Sequence, residues 1–322
     1  MSRGTGIETL NLHNCVPLCC SQSKILPPIP LNHPPLPSPS LYNQRVESRP
    51  ICPNCRAFIS RADRVCPYCE FEIAPAPKGG VDAARALGNL LPQNGQITTY
   101  ILIVNGFLYL AMALFNTQNI RGGGFLDLSG STLFLFGAKE PNYIFHGEYW
   151  RLVTAGFLHA GIMHIGMNSW GLYDLGSQAE EAFGAGRLLV IYVISSITGF
   201  LFSSLFAPSL SVGASAAIFG LIGAMIAYGV NQRSSFGSYV KAAYTRTAVW
   251  ALLISFLIPF TDNWAHLGGL AGGFATAYVA GHPRLSRARH ERYWNIAGLA
   301  MAALVVLSFV VQLFGALRLL QG

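Results

Sequence analysis

Five stretches of this chain, residues 86–120, 152–173, 188–232, 263–283 and 293–317, contain no Asp, Glu, Lys or Arg. A helix needs about 20 apolar residues to cross a bilayer, and residues 188–232 are long enough for two crossings with a turn between them. Charged residues make up 11% of the chain, less than half the share of about 25% usual in soluble domains. A soluble enzyme is excluded, and the fold class that follows is an all-α polytopic membrane protein. The formal charge of +7 does not point to nucleic acid, because the basic residues sit largely between the apolar blocks, where they set topology.

Seven transmembrane helices are predicted, near residues 98–118, 150–173, 187–207, 213–230, 243–260, 263–281 and 294–318. Pro208 divides the third from the fourth, and Pro259 with Asp262 divides the fifth from the sixth. With the N-terminus in the cytosol, the inside loops hold Arg187, Arg233, Lys241, Arg246, Arg284, Arg287, Arg289 and Arg292. The outside segments then hold Arg121, Lys139, Arg151 and Arg318. The positive-inside rule favours that orientation.

No secretory signal is expected, since the first long apolar segment starts near Ile97. Residues 1–50, rich in Pro, Ser and Asn, are expected to be disordered, being unable to bury enough surface to offset their ordering entropy. Residues 51–72 carry two Cys-x-x-Cys knuckles, Cys52/Cys55 and Cys66/Cys69. Four thiolates on two tight turns can close a tetrahedron around zinc, so a small zinc ribbon is predicted. With so little core, the metal must supply most of its folding energy. In the cytosol the thiolates remain reduced and free to bind metal. Residues 73–97 form a linker, with a short amphipathic segment near Val81–Leu91. The sequence does not identify the ribbon's cytosolic partner.

Polar groups inside a membrane helix are costly, so each needs a reason. The second helix carries His159, His164 and Asn168; the fourth begins at Ser215, and the sixth opens Asn263-Trp264-Ala265-His266. The fourth and sixth helices run in the same direction, which puts Ser215 and His266 at one depth below the outer face. His164 and Asn168, four apart, share a helix face. Gly220-x-x-x-Ala224 and Gly269-x-x-x-Gly273 would let the fourth and sixth helices touch. A serine hydroxyl becomes a nucleophile when a neutral imidazole takes its proton. Its tetrahedral intermediate needs donors, which His164, Asn168 and the Ser215 backbone N–H could supply. No acidic residue lies within the fourth, fifth or sixth helices near the base, so a Ser–His dyad is expected. His159 is read as a packing residue. A zinc protease is excluded by the absence of His-Glu-x-x-His, and an aspartyl protease by the lack of a Gly-x-Gly-Asp partner for Asp174.

These residues together resemble the rhomboid family of intramembrane serine proteases, over roughly residues 98–282. Trp150-Arg151 looks like the family's loop motif, and His164-x-x-x-Asn168 like its oxyanion motif. Gly176, Glu180, Gly184 and Arg187 resemble the turn after the second helix. Gly213-Ala214-Ser215 with Gly220-Leu221 is similar to the nucleophile motif, and Ala265-His266-x-x-Gly269-x-x-x-Gly273 to the base motif. The resemblance implies a six-helix core with Ser215 and His266 catalytic and with His164, Asn168, Gly213 and Ala214 at the oxyanion and substrate site. It implies no cofactor for catalysis. It also implies a sunken loop at 150–159, a second helix starting near Ala160, and Phe219 stacked on the base. The family's Gly-x-Ser-Gly reads Gly-Ala-Ser-Ala here, so the methyl of Ala216 bears on crowding of the oxyanion hole. The zinc ribbon and the region 283–322, a basic loop and seventh helix, resemble accessories of bacterial members, implying a bacterial cytoplasmic membrane.

By the same resemblance, substrates are single-pass membrane proteins cut near the outer end of their transmembrane segment. They enter laterally near the second and fifth helices, while water enters from the outer face. Two other classes remain open at this point: a non-cleaving relative that captures membrane clients, and a transporter. No internal repeat supports the transporter.

Overall fold

The computed structural model describes Cys52, Ser60, residues 64–70, 96–120, 124–281 and 288–321, the side chains of 288–290 excepted. The predicted disordered segment 1–50, the stretch Val81–Leu91 and Cys55 lie outside the described residues. The chain divides into two compact units, Met1–Pro77 and Lys78–Gly322.

In the larger unit, helix α1 (Gln96–Asn119) leads into a long loop, the outer loop of the expected topology, containing α2 (Gly130–Phe136), α3 (Pro141–Phe145) and α4 (Arg151–Thr154). A single 3₁₀ turn, Ala155–Phe157, closes it. The second long helical run begins at α5 (Ile162–Gly171), widens into a π turn at Leu172–Gly176 and continues as α6 (Ser177–Phe183). Then come α7 (Ala185–Phe206), α8 (Ser215–Asn231), α9 (Ser235–Leu257), α10 (Asn263–Ala280) and α11 (Ala288–Gln321). The described residues contain isolated β-bridges but no strands. The fold is all-helical and polytopic.

By length and composition, α1, α7 and residues Glu291–Gln321 of α11 qualify as membrane spans, and α8 is a shorter apolar helix. The other long helices fall short for local reasons. The π turn breaks the second run, α9 carries Lys241 and Arg246, and α10 is rich in Gly and opens with Asn263 and His266. Hydropathy alone places the start of the second helix near residue 150, but α5 starts twelve residues later. The backbone explains the difference: Leu128 N–H donates to Ala160 O (2.8 Å) and Ile162 N–H to Leu126 O (2.8 Å). Residues 160–162 therefore pair with 126–128, Gly161 is extended (φ −171°), and the helix cannot begin before them. The start near Ala160 implied by the resemblance agrees.

The centre of the bundle is α10, packed between α7 and α8. Glycines cover both contacting faces. A Cβ at Gly269 or Gly273 would collide with the backbone carbonyls of Ala216 and Gly220 on α8. A Cβ at Gly268 or Gly272 would strike Thr198 and Phe202 on α7. Lipid supplies no hydrophobic drive between helices, so dispersion at such close range holds them.

Buried polar ties fix the remaining elements. Glu180 on α6 accepts from Ile97 N (3.0 Å), Thr98 N (2.9 Å) and Thr98 Oγ1 (2.8 Å), satisfying orphan donors at the start of α1. Arg187 pairs with Glu291 and donates through Nε to Ala280 O (3.2 Å), tying α7 to α11 and α10. In the outer loop Arg151 donates to Glu148 (2.6 Å), Phe134 O (2.9 Å) and Ala138 O (3.0 Å). Lys139, fully buried, caps Ala207 O (2.7 Å) and Ser209 O (2.8 Å). Its burial pushes the ammonium below the ordinary lysine value, an effect that Asp262 and Glu140 oppose.

Candidate active site

Ser215 is the first residue of α8, and His266 lies one turn into α10. Nε2 of His266 is 2.9 Å from Oγ of Ser215. The glycine contact between α8 and α10 makes this distance possible, because any side chain at Gly269 would push the helices apart. Asp262 caps α10 through Ala265 N (3.0 Å), and its other oxygen accepts from Ser203 Oγ (2.5 Å). It does not hydrogen-bond the imidazole: Nδ1 of His266 is buried without a hydrogen-bond partner. The ring is held by Phe219, stacked on it at 4.2 Å and 18°. The pair therefore has no carboxylate on Nδ1, and an aromatic ring against the imidazole face supports it instead.

Gly213 brings the chain into this site with φ +135°, a region open mainly to glycine. Its N–H donates to Ala155 O (2.9 Å). A Cβ there would lie 2.7 Å from Nε2 of His164, so the imidazole edge reaches the backbone just before Ser215. Nδ1 of His164 accepts from Ala160 N–H (3.3 Å). That bond assigns the ring proton to Nε2, which makes Nε2 a donor facing Gly213. Asn168 spends one amide hydrogen on His164 O (2.9 Å) and keeps a second. Ala214 is fully buried as the N-cap of α8, and it leaves the first N–H groups of that helix, including that of Ser215, without intrahelical acceptors. Ser215, His266, His164, Gly213 and Ala214 thus converge, and Asn168 lies one turn along α5 from His164.

Two further expectations meet the structure here. The methyl of Ala216 packs against α7, where Gly199 leaves room for it, since a Cβ at Gly199 would come within 2.8 Å of it. His159 is fully buried, with its ring edge-on to His164 at 5.2 Å. Sequence reasoning passed over Gln312, an amide in the charge-free block 293–317 that reaches Trp150; the high cost of polar groups in lipid was the signal available.

In the smaller unit, the sulfurs of Cys52, Cys66 and Cys69 lie within 4.8 Å of one another, with Cys52 and Cys69 3.7 Å apart. Zinc bound by thiolates at about 2.3 Å has sulfur–sulfur edges of about 3.8 Å, so these donors fit a tetrahedral thiolate site. The fourth expected ligand, Cys55, lies outside the described residues.

A rhomboid domain matches residues 146–283, a range that includes every residue of the converging group. Rhomboid protease GluP of Bacillus subtilis is 38% identical over 193 residues, covering 60% of this chain and 36% of that protein. RHOMBOID-like protein 6, mitochondrial, of Arabidopsis thaliana is 39% identical over 168 residues, 51% of this chain and 55% of that protein. Inactive RHOMBOID-like protein 8 of the same plant is 35% identical over 159 residues, 48% of this chain and 45% of that protein. The chain thus spans between about a third and just over half the length of these relatives. The domain match, these likenesses and the apolar helical bundle agree: this integral membrane protein carries a rhomboid domain over residues 146–283 and is similar to proteins of the rhomboid family.

Proposed function

We propose that the protein is an intramembrane serine endopeptidase that cleaves transmembrane segments of single-pass membrane proteins. The observation that carries the reading is the 2.9 Å approach of His266 Nε2 to Ser215 Oγ. His266 accepts the hydroxyl proton as Oγ bonds to a substrate carbonyl carbon, and the carbonyl oxygen takes the negative charge. His164 Nε2–H, the remaining Asn168 hydrogen and the Ser215 N–H at the positive end of α8 stabilise that oxyanion. The C–N bond then breaks with proton transfer from His266 to the leaving amine. Water repeats the sequence on the acyl-enzyme and regenerates Ser215. A helical substrate hides its carbonyls in i to i+4 bonds, so the segment must unwind locally before it reaches Ser215.

The N-terminus and the zinc ribbon face the cytosol of a bacterial cell in this reading, and Ser215 lies near the outer face. The ribbon, with zinc on Cys52, Cys55, Cys66 and Cys69, is a structural adaptor without a part in catalysis. The test is cleavage of a fluorogenic transmembrane peptide by purified protein, with Ser215→Ala and His266→Ala for comparison. Loss in both variants is expected, and cleavage surviving Ser215→Ala would sink the proposal. A non-cleaving, client-binding protein is the second reading, favoured by the likeness to Inactive RHOMBOID-like protein 8. Labelling of Ser215 by a fluorophosphonate excludes it.

A further inference from the structure

Helix α11 is apolar along most of its length, and its Ser308 and Gln312 are both buried at 4% exposure. Ser308 satisfies its hydroxyl within the helix, on Leu304 O (2.8 Å). Gln312 does not: both halves of its amide leave α11 for the outer loop. Its Oε1 accepts from Trp150 Nε1 (2.7 Å), and its Nε2 donates to Leu135 O near the end of α2 (2.8 Å). A Cβ at Gly137 would lie 3.1 Å from its Cγ, so the turn after α2 closes directly on this side chain. The same turn is also held by Thr154, whose Oγ1 donates to Gly137 O (2.6 Å).

An amide is an expensive way to anchor a helix in lipid, where a leucine would pack without desolvation cost. Its use makes sense where the geometry of its partners matters. Trp150 O accepts from Thr154 N (2.9 Å) within the single turn of α4, and that turn ends at Ala155. Ala155 O receives the N–H of Gly213 (2.9 Å), two residues before Ser215. A short, continuous set of bonded groups thus runs from α11 through α4 to the strained entry into α8.

We propose that Gln312 is a positioning residue for the Ser215 site: it braces the outer loop against α11 and so fixes the register of Gly213 and Ser215. The proposal rests on the protease reading for its kinetic consequence, and on hydrogen bonding alone for its structural one.

The experiment compares full-length wild type, Gln312→Leu and Trp150→Phe in detergent, by hydrogen exchange and by steady-state cleavage of the transmembrane peptide. Trp150→Phe removes the indole donor while keeping an aromatic ring, and it keeps the test alive should Gln312→Leu fail to fold. Faster exchange is expected at residues 134–138 and 211–215 in both variants, with 96–100 unchanged. The expected kinetic change is a fall in kcat of about tenfold with KM within about twofold, since alignment of the reacting groups is lost and substrate entry is not. Wild-type kcat with unchanged exchange at 211–215 would overturn the proposal. Faster exchange also at 96–100 and along α7 would overturn it too, by making Gln312 a general anchor of the fold. If the wild type neither cleaves nor takes a fluorophosphonate, the protease reading fails, and exchange at 211–215 by itself decides the brace.

Discussion

The imidazole of His164 occupies the space that a side chain at Gly213 would fill: a Cβ built there lies 2.7 Å from Nε2 and 2.9 Å from Cε1. Gly213 also sits at φ +135°, so a substitution meets backbone strain and a collision together. The collision falls on a group assigned to the oxyanion.

Gly213→Ala is therefore expected to lower kcat/KM about a hundredfold, the scale of losing one oxyanion donor. Helical content by circular dichroism should stay at the wild-type level. Near-normal cleavage by this variant would show that His164 moves without cost and does not hold the oxyanion.

Gly269→Ala tests whether the helix contact sets the distance between nucleophile and base. The added methyl overlaps the Ala216 carbonyl, and overpacking of this kind typically costs about 1–3 kcal/mol. A lower thermal midpoint and loss of cleavage should appear together. Gly166→Ala is the control, since that position on α5 faces open space and should leave both unchanged.

Phe219→Leu removes the ring stacked on His266 while keeping an apolar side chain. Because Nδ1 of His266 has no hydrogen-bond partner, stacking is what orients the base. A fall in kcat of about tenfold is expected, on the scale of a misoriented general base, with recovery in Phe219→Tyr. Equal rates in Phe219→Leu and wild type would rule out an orienting role.

Metal content separates the two units of the chain. Elemental analysis should find one zinc per chain, lost in Cys66→Ser and on strong chelation. Cleavage in detergent should persist in the metal-free protein and after deletion of residues 1–80. Loss of cleavage with loss of zinc would contradict a purely structural ribbon.

The nearness of Ser215 and His266 is legible in the sequence because both stand out in charge-free helices and chain direction puts them at one depth. The start of α5 is not legible from hydropathy. Residues 152–158 are as apolar as a membrane helix, and what stops them joining one is backbone pairing of 160–162 with 126–128, distant in sequence. The seat of the Ala216 methyl is hidden for a similar reason, since it depends on Gly199 of another helix. One glycine pair on α10 is readable as a contact motif, but Gly268 and Gly272 need the structure to reveal a second occupied face.

The π turn at Leu172–Gly176 fits one more residue into the second helical run than an α-helix of that rise would hold. Each α-helical residue turns the helix by about 100°, so the turn acts as a phase change between two segments with separate duties. Upstream, His164 is aimed at the backbone beside Ser215; downstream, Glu180 is aimed at the start of α1. An unbroken α-helix through this region could satisfy only one of those alignments. The extra residue lets the first half keep its bearing on the chain beside Ser215 while the second half is trimmed independently to close the bundle.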